Sequence, residues 1–241
     1  MADLNLYCDE ELSGMIQDED EVIPFVHDFG SQDVLADMTE AILLGEDYFD
    51  KLRSGGLIMQ MRNAGLHYIS EASRQFDLQP STVMHGVNYL DRCLSTVDAN
   101  GIHEEREYLF VSCLMVASKL VEVSPPRAYQ WCKEFGLEIR ALIRMEARLA
   151  ILLEWRLNCS SPLLFLHHYL EKLGLPMKPN LIEKSTEIIL YAIKDIQFLV
   201  LKPWEISLAI VISVCLDEVQ REAIPDEVFQ YADKKVAAVV E

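Results

Sequence analysis

The chain has 241 residues, of which 51% are hydrophobic and 25% charged, so it can bury at least one sizeable core and is not a largely disordered protein. Its 39 acidic residues against 21 basic ones give a net charge of −18, which excludes binding to nucleic-acid phosphates as the main activity. The sequence shows no secretory signal and no run of about 20 apolar residues, so we expect a soluble intracellular protein with no membrane partner.

The first 30 residues are acidic and only weakly periodic. They include the run 17–21 (QDEDE), and blocks of like charge are typical of solvated segments. We therefore predict a flexible acidic arm over residues 1–30.

Helical periodicity dominates from residue 31 onward, and glycine is scarce at 10 residues, so we predict an all-α protein. Ser31 is a candidate helix cap, Gly55 and Gly56 break the chain before the second helix, and Pro125 follows the fourth. The fourth helix is apolar almost all round, which indicates a central helix enclosed by neighbours. The predicted helices of this part cover residues 32–44, 57–76, 80–94, 109–121 and 142–155.

A second helical unit is predicted to follow a boundary near residue 159. Residues 160–162 (SSP) have the serine-cap, early-proline pattern of a helix start. The chain is thus predicted to consist of the arm, a first unit over 31–158 and a second over 159–241. The predicted helices of the second unit cover residues 163–173, 181–199, 204–219 and 225–241.

Two pairs of charged residues stand beside apolar helix faces. For Lys119 and Glu146, taken alone, solvated charges at the edge of a helix are the simplest interpretation. Arg62 and Asp91 are either two surface charges or, if both face inward, a hydrogen-bonded bridge, because an unpaired buried charge is costly. The pattern alone leaves both interpretations open.

Metal-binding and catalytic motifs are absent from the sequence. The six cysteines contain no CxxC pair, and His167 and His168 are neighbours on a predicted helix, so they point in different directions. There is no glycine-rich phosphate loop, no GxSxG motif and no HExxH motif. We therefore expect no metal, no cofactor and no enzymatic activity.

Several motifs occur together in the order and spacing of a cyclin box. Residues 46–55 (EDYFDKLRSG) resemble the segment before the box in plant D-type cyclins, and residues 161–166 (SPLLFL) resemble the start of their second box. From about residue 34 onward the chain therefore resembles a cyclin of the green-lineage D type. The motifs of the first box are residues 61–62 (MR), 87–95 (VNYLDRCLS), 116–119 (VASK), 125–126 (PP) and 144–146 (RME).

This resemblance implies two tandem cyclin-box bundles, the first of which binds a cyclin-dependent kinase and activates it allosterically without supplying a catalytic group. Lys119 and Glu146 match the family's polar anchors, since an ammonium can donate to backbone carbonyls and a carboxylate can accept from backbone N–H groups. Arg62 and Asp91 match the family's internal bridge. Apolar kinase contacts are implied at Leu120, Trp155 and Leu157.

The predicted arm carries a second motif. Leu6, Cys8 and Glu10 have the Leu-x-Cys-x-Glu spacing that binds retinoblastoma-type pocket proteins, and D-type cyclins often carry it at this end. An extended segment can place such alternate side chains in pockets while its backbone forms hydrogen bonds. The alternative is an ordinary acidic tail in which the match is accidental.

The substrate-docking groove of other cyclins is implied beside Met61, with changed residues. Met61 and Glu71 keep the family pattern, whereas Tyr68 stands where a tryptophan is usual. Ala64 and Gly65 replace larger apolar residues. The resemblance thus implies an absent or altered groove, with the N-terminal arm as another means of recruiting substrate.

The sequence therefore favours a D-type cyclin that activates a cyclin-dependent kinase, delivers it to a retinoblastoma-like protein and promotes the G1/S transition. Because its partners act there, we expect it in the nucleus, with the cytoplasm as a second location. The alternatives are a transcription-linked cyclin, a cyclin-fold adaptor that binds without activating, and, more distantly, a helical enzyme.

Overall fold

A computed structural model of the chain describes residue 52 and residues 56–96, 105–159, 161–172 and 179–218. These residues form α-helices and one 3-10 helix and contain no strand, which confirms the all-α prediction for this part of the chain. The predicted arm over 1–30 and the predicted helices over 32–44 and 225–241 lie outside the described residues. The helices are α1 (Gly56–Gln75), α2 (Pro80–Thr96), α3 (Arg106–Val121), α4 (Ala128–Phe135), α5 (Ile139–Leu152), α6 (Pro162–Lys172), α7 (Pro179–Ala192) and α8 (Pro203–Glu218), with the 3-10 helix (Ile196–Val200) between α7 and α8.

Helix α3 is the centre of the first five helices. Every residue from 109 to 118 is buried, and α1, α2 and α5 pack around it. Two glycines allow this close approach: a Cβ at Gly65 of α1 would lie 2.5 Å from Leu90 Cδ2, and one at Gly86 of α2 would lie 2.9 Å from Leu114 Cδ1. The apolar pattern of the predicted central helix thus corresponds to a helix that is enclosed over most of its length.

Helix α4 was not anticipated from the sequence patterns. It has only eight residues, of which Trp131 alone is fully buried, so it has no long apolar stripe. Trp131 Nε1 donates to the carbonyl of Pro126 at 3.0 Å. Gly136 ends the helix in the left-handed conformation, with φ of 66°.

Helix α5 begins and ends about three residues earlier than the predicted range of 142–155. Helix α5 begins at Ile139 because the Glu138 carboxylate caps it, accepting from Arg140 N at 2.9 Å and Ala141 N at 2.7 Å. These bonds hold the pKa of Glu138 below its usual range. The helix ends at Leu152 rather than near Trp155.

The prediction of one helix over 181–199 is wrong. Helix α7 ends at Ala192, and Asp195 then caps the separate 3-10 helix by accepting from Gln197 N at 2.9 Å. The apolar periodicity runs through both elements, so periodicity did not reveal the break between them.

Helices α6, α7 and α8 pack on one another, and α7 also contacts α2. Many of their buried residues, among them Leu166, Ile189 and Val211, belong to the same apolar core as those of α1 to α5. Phe165 of α6 and Trp204 of α8 form a second, smaller cluster. No helix among the described residues has both the length and the apolar character needed to cross a membrane. That residues 159–241 form a second cyclin-box-like unit stays a prediction.

Candidate partner-binding surface

Lys119 and Glu146 form an ion pair at the surface of the first five helices. Lys119 lies in the last turn of α3 and Glu146 in the middle of α5, and the Lys119 ammonium donates to Glu146 Oε1. The side chains are 45% and 25% exposed. An exposed pair of this kind contributes about 0–1 kcal/mol to the stability of the fold. The two side chains can therefore separate and bind a new partner at little cost.

Large apolar side chains are exposed around the same two helices. Leu120 follows Lys119 directly, and Trp155, beyond the end of α5, is 72% exposed. Leu157 is half-buried and packs against the core. Val123 and Ile151, which the sequence interpretation did not single out, are exposed as well. The ends of α3 and α5 and the segment after α5 therefore carry a positive donor, a negative acceptor and exposed apolar area, which are groups that a protein-binding surface can use.

Trp155 lies in a tight turn that connects α5 to the segment before α6. Glu154 and Trp155 have φ of 53° and 59°, in the left-handed region. Trp155 N donates to the carbonyl of Ala150 at 2.9 Å, which satisfies an end carbonyl of α5. No sequence pattern indicates this turn, because neither residue is a glycine or asparagine.

Arg62 and Asp91 form a buried bidentate ion pair away from this surface. Arg62 Nε donates to Asp91 Oδ1 at 2.8 Å and Nη2 donates to Oδ2 at 3.1 Å, with both side chains almost fully buried. Arg62 also donates to the carbonyls of Ile193 at 2.9 Å and Lys194 at 3.0 Å, just beyond α7. The guanidinium thus joins α1, α2 and the end of α7.

The residues of the implied docking groove all lie on α1 and differ in their exposure. Met61 is buried, and Glu71 is exposed and paired with Arg74. Tyr68 is half-buried against the rings of Phe110 and Phe135, each with a centroid separation of 5.7 Å. Burial raises the pKa of Tyr68, and the neighbouring Glu107 raises it further.

Gly65, one of the positions where the family has a larger residue, faces the interior. Its missing side chain faces Leu90 and Phe110 in the interior, where a Cβ would clash. The glycine at this position therefore fits the tight packing between α1, α2 and α3.

Neither a metal cluster nor the N-terminal motif is present in the described part of the chain. It contains no group of three or more histidine, cysteine, aspartate or glutamate residues that could hold a metal ion. Burial lowers the pKa of His167. Leu6, Cys8 and Glu10 lie outside the described residues.

Comparison with known proteins gives a consistent result. The family model "Cyclin, N-terminal domain" matches residues 33–158. Cyclin-D2-2 of Oryza sativa subsp. japonica is 32% identical over 69% of this chain and 49% of its own length. Cyclin-D4-1 of Arabidopsis thaliana is 30% identical over 91% of this chain and 77% of its own length. The chain thus spans between about half and three quarters of the length of these relatives.

The fold is also found among solved structures. A viral cyclin from herpesvirus saimiri superimposes with a TM-score of 0.68 at 19% sequence identity, covering 78% of this chain and 83% of that one. The described helices therefore have the cyclin arrangement, which the sequence resemblance had implied.

Proposed function

The chain belongs to the cyclin family, and we propose that it is a regulatory subunit that binds and activates a cyclin-dependent kinase. The observation that carries the proposal is the Lys119–Glu146 pair, exposed between α3 and α5 with apolar side chains beside it. Its D-type relatives are similar over most of this chain, which supports a D-type role.

In this mechanism the two charges separate and bind a helix of the kinase. The Lys119 ammonium donates to carbonyls at the end of that helix, and the Glu146 carboxylate accepts from backbone N–H groups. Leu120 and Trp155 bury apolar area beside these bonds. The kinase helix is then held where the kinase's own lysine–glutamate pair and metal ligands are aligned, so this chain contributes orientation and no reacting group.

The first test is titration of a panel of purified cyclin-dependent kinases with the chain. We expect Lys119→Ala and Glu146→Ala each to weaken binding by about tenfold or more, because bonds to charged groups contribute roughly 1.5–3 kcal/mol. Arg148→Ala is the matched control, since Arg148 of α5 forms an exposed ion pair at 2.9 Å with Glu105, the residue before α3.

Kinase activity separates the possible outcomes. Binding followed by histone phosphorylation supports the proposal, whereas binding without activation indicates an adaptor. Unchanged affinity of both alanine variants would show that this pair is not the anchor.

The second part of the proposal concerns the substrate. Leu6, Cys8 and Glu10 recruit a retinoblastoma-like pocket protein, and through its phosphorylation the chain promotes the G1/S transition in the nucleus. The support is the spacing of the three residues ahead of the family region and the D-type character of the relatives.

This part is tested by pull-down and by phosphorylation of the pocket protein. We expect Cys8→Gly to abolish retention of the pocket protein and to slow its phosphorylation while histone phosphorylation stays unchanged. Leu4→Ala, a substitution in the same segment but outside the motif, is the control. Retention of the pocket protein by the Cys8→Gly chain would disprove the assignment.

A further inference from the structure

The turn that presents Trp155 has a strained backbone. Two consecutive non-glycine residues, Glu154 and Trp155, have positive φ. Each such residue costs about 1–3 kcal/mol and persists only where the surroundings determine the conformation. The Trp155 side chain cannot supply this constraint, because it is 72% exposed.

Besides the turn's own backbone hydrogen bonds, two buried residues of α2 hold this turn in place. Arg92 Nη1 donates to the carbonyl of Arg156 at 2.6 Å and Nη2 donates to that of Leu153 at 3.3 Å. Tyr89 Oη donates to the carbonyl of Leu157 at 2.5 Å. Tyr89 and Arg92 are three residues apart and so share a helix face. The carbonyls of Leu153, Arg156 and Leu157 thus all accept hydrogen bonds from α2.

The clamp, meaning Tyr89 and Arg92 together, is built from groups that stay protonated. Tyr89 is fully buried and Arg92 almost so. Burial raises the pKa of Tyr89, so its hydroxyl keeps the proton that it donates. An arginine keeps its charge in proteins, and its planar fork can donate to two acceptors at once.

We propose that Tyr89 and Arg92 are positioning residues that fix the 153–157 turn and thereby hold Trp155 in the orientation that binds the kinase. This inference rests on the proposed function. A rigid apolar anchor loses little conformational entropy on association, so the clamp increases affinity without contacting the partner. Any fraction of molecules with a released turn lowers the apparent affinity in proportion.

Two variants release the clamp to different degrees. Tyr89→Phe removes one hydroxyl and keeps the ring, and Arg92→Lys keeps the charge but loses the fork. We expect Tyr89→Phe to weaken kinase binding by up to about fivefold, the equivalent of one hydrogen bond, and Arg92→Lys to weaken it more. Tyr108→Phe is the control, because Tyr108 Oη accepts from Glu138 N at 3.3 Å, at the opposite end of α5.

A double-mutant cycle shows whether the clamp acts through Trp155. If it does, Tyr89→Phe has almost no further effect on kinase affinity in a Trp155→Ala chain. The same fold-loss in both backgrounds would mean a general structural role and would overturn the inference, as would full affinity of the Trp155→Ala chain.

The free chain gives an independent measurement. With 5-fluorotryptophan incorporated, the chain gives three fluorine resonances, from Trp131, Trp155 and Trp204. The resonance that is missing from the spectrum of a Trp155→Phe variant belongs to Trp155. We expect Tyr89→Phe and Arg92→Lys to shift or broaden the Trp155 resonance while the other two resonances are unchanged. If the wild-type chain binds no kinase, the proposed function is wrong, and so is the kinase as the partner of Trp155. The claim that Tyr89 and Arg92 position Trp155 is still tested by the fluorine spectrum. A Trp155 resonance that neither variant changes would overturn that claim.

Discussion

Two ion pairs that each join two helices differ in their surroundings. Arg62 and Asp91 pair in the interior, whereas Lys119 and Glu146 pair at the surface. In the interior, the Arg62 guanidinium makes four hydrogen bonds, to the Asp91 carboxylate and to two backbone carbonyls, and is fully buried. At the surface, the Lys119 ammonium has one side-chain partner and remains 45% exposed.

The difference shows how burial decides what a charge pair can do. A buried charge that loses its partner is left without water, so the interior pair is fixed in place by the cost of opening it. An exposed charge is resolvated as soon as it separates, so the surface pair can open for a partner. The interior pair therefore stabilises the architecture, and the surface pair remains available.

The largest expected effect on the free energy of unfolding comes from breaking the interior pair. Arg62→Ala leaves the Asp91 carboxylate buried without its partner, and we expect it to lower the free energy of unfolding by about 3–5 kcal/mol. Urea denaturation measures this, with Arg74→Ala as the control because Arg74 forms an exposed pair with Glu71 on the same helix. A loss below 1 kcal/mol would show that the pair does not determine stability.

An intermediate effect is expected from packing beside that pair. Gly65→Ala places a Cβ 2.5 Å from Leu90 Cδ2, so the buried Leu90 side chain or the helices themselves must shift, at a cost of about 1–3 kcal/mol for overpacking. Gly56→Ala is the matched control, since a Cβ there meets nothing within 4 Å. Thermal unfolding of the two variants compares them directly, and equal midpoints would contradict the close approach of α1 to α2 and α3.

The smallest effect on stability is expected at the surface pair. Lys119→Ala removes an exposed partner, and we expect the free energy of unfolding to change by no more than about 1 kcal/mol. The measurement is urea denaturation at low and at high salt, where screening reduces even this difference. A loss as large as that of Arg62→Ala would mean that the two pairs do not differ in kind.

Much of the fold followed from the sequence because its helices are long and strongly periodic. Helices α1, α2, α3, α6 and α8 begin and end within a few residues of their predicted bounds. The exceptions have local causes. Helix α4 is too short to show an apolar stripe, and the break after Ala192 depends on an aspartate cap inside a continuous apolar pattern.

Less of the candidate partner-binding surface could be predicted from the sequence. The resemblance placed Lys119 and Glu146 on the kinase-binding surface, and the structure places them in contact. The left-handed turn at Trp155 and its two donors on α2 have no local signature, because the hydrogen bonds join residues 61 to 68 positions apart. The role of each of these residues in binding stays a prediction.

The bonds from Arg62 to the carbonyl groups after α7 have a consequence for synthesis. Arg62 and its acceptor Ile193 are 131 residues apart in the chain. At translation rates of about 5–20 residues per second, the arginine is made on the order of ten seconds before that acceptor. During this interval α1 and α2 can pair through Asp91, but the guanidinium lacks half of its final hydrogen bonds. The first five helices therefore reach their complete native bonding only after α7 has left the ribosome.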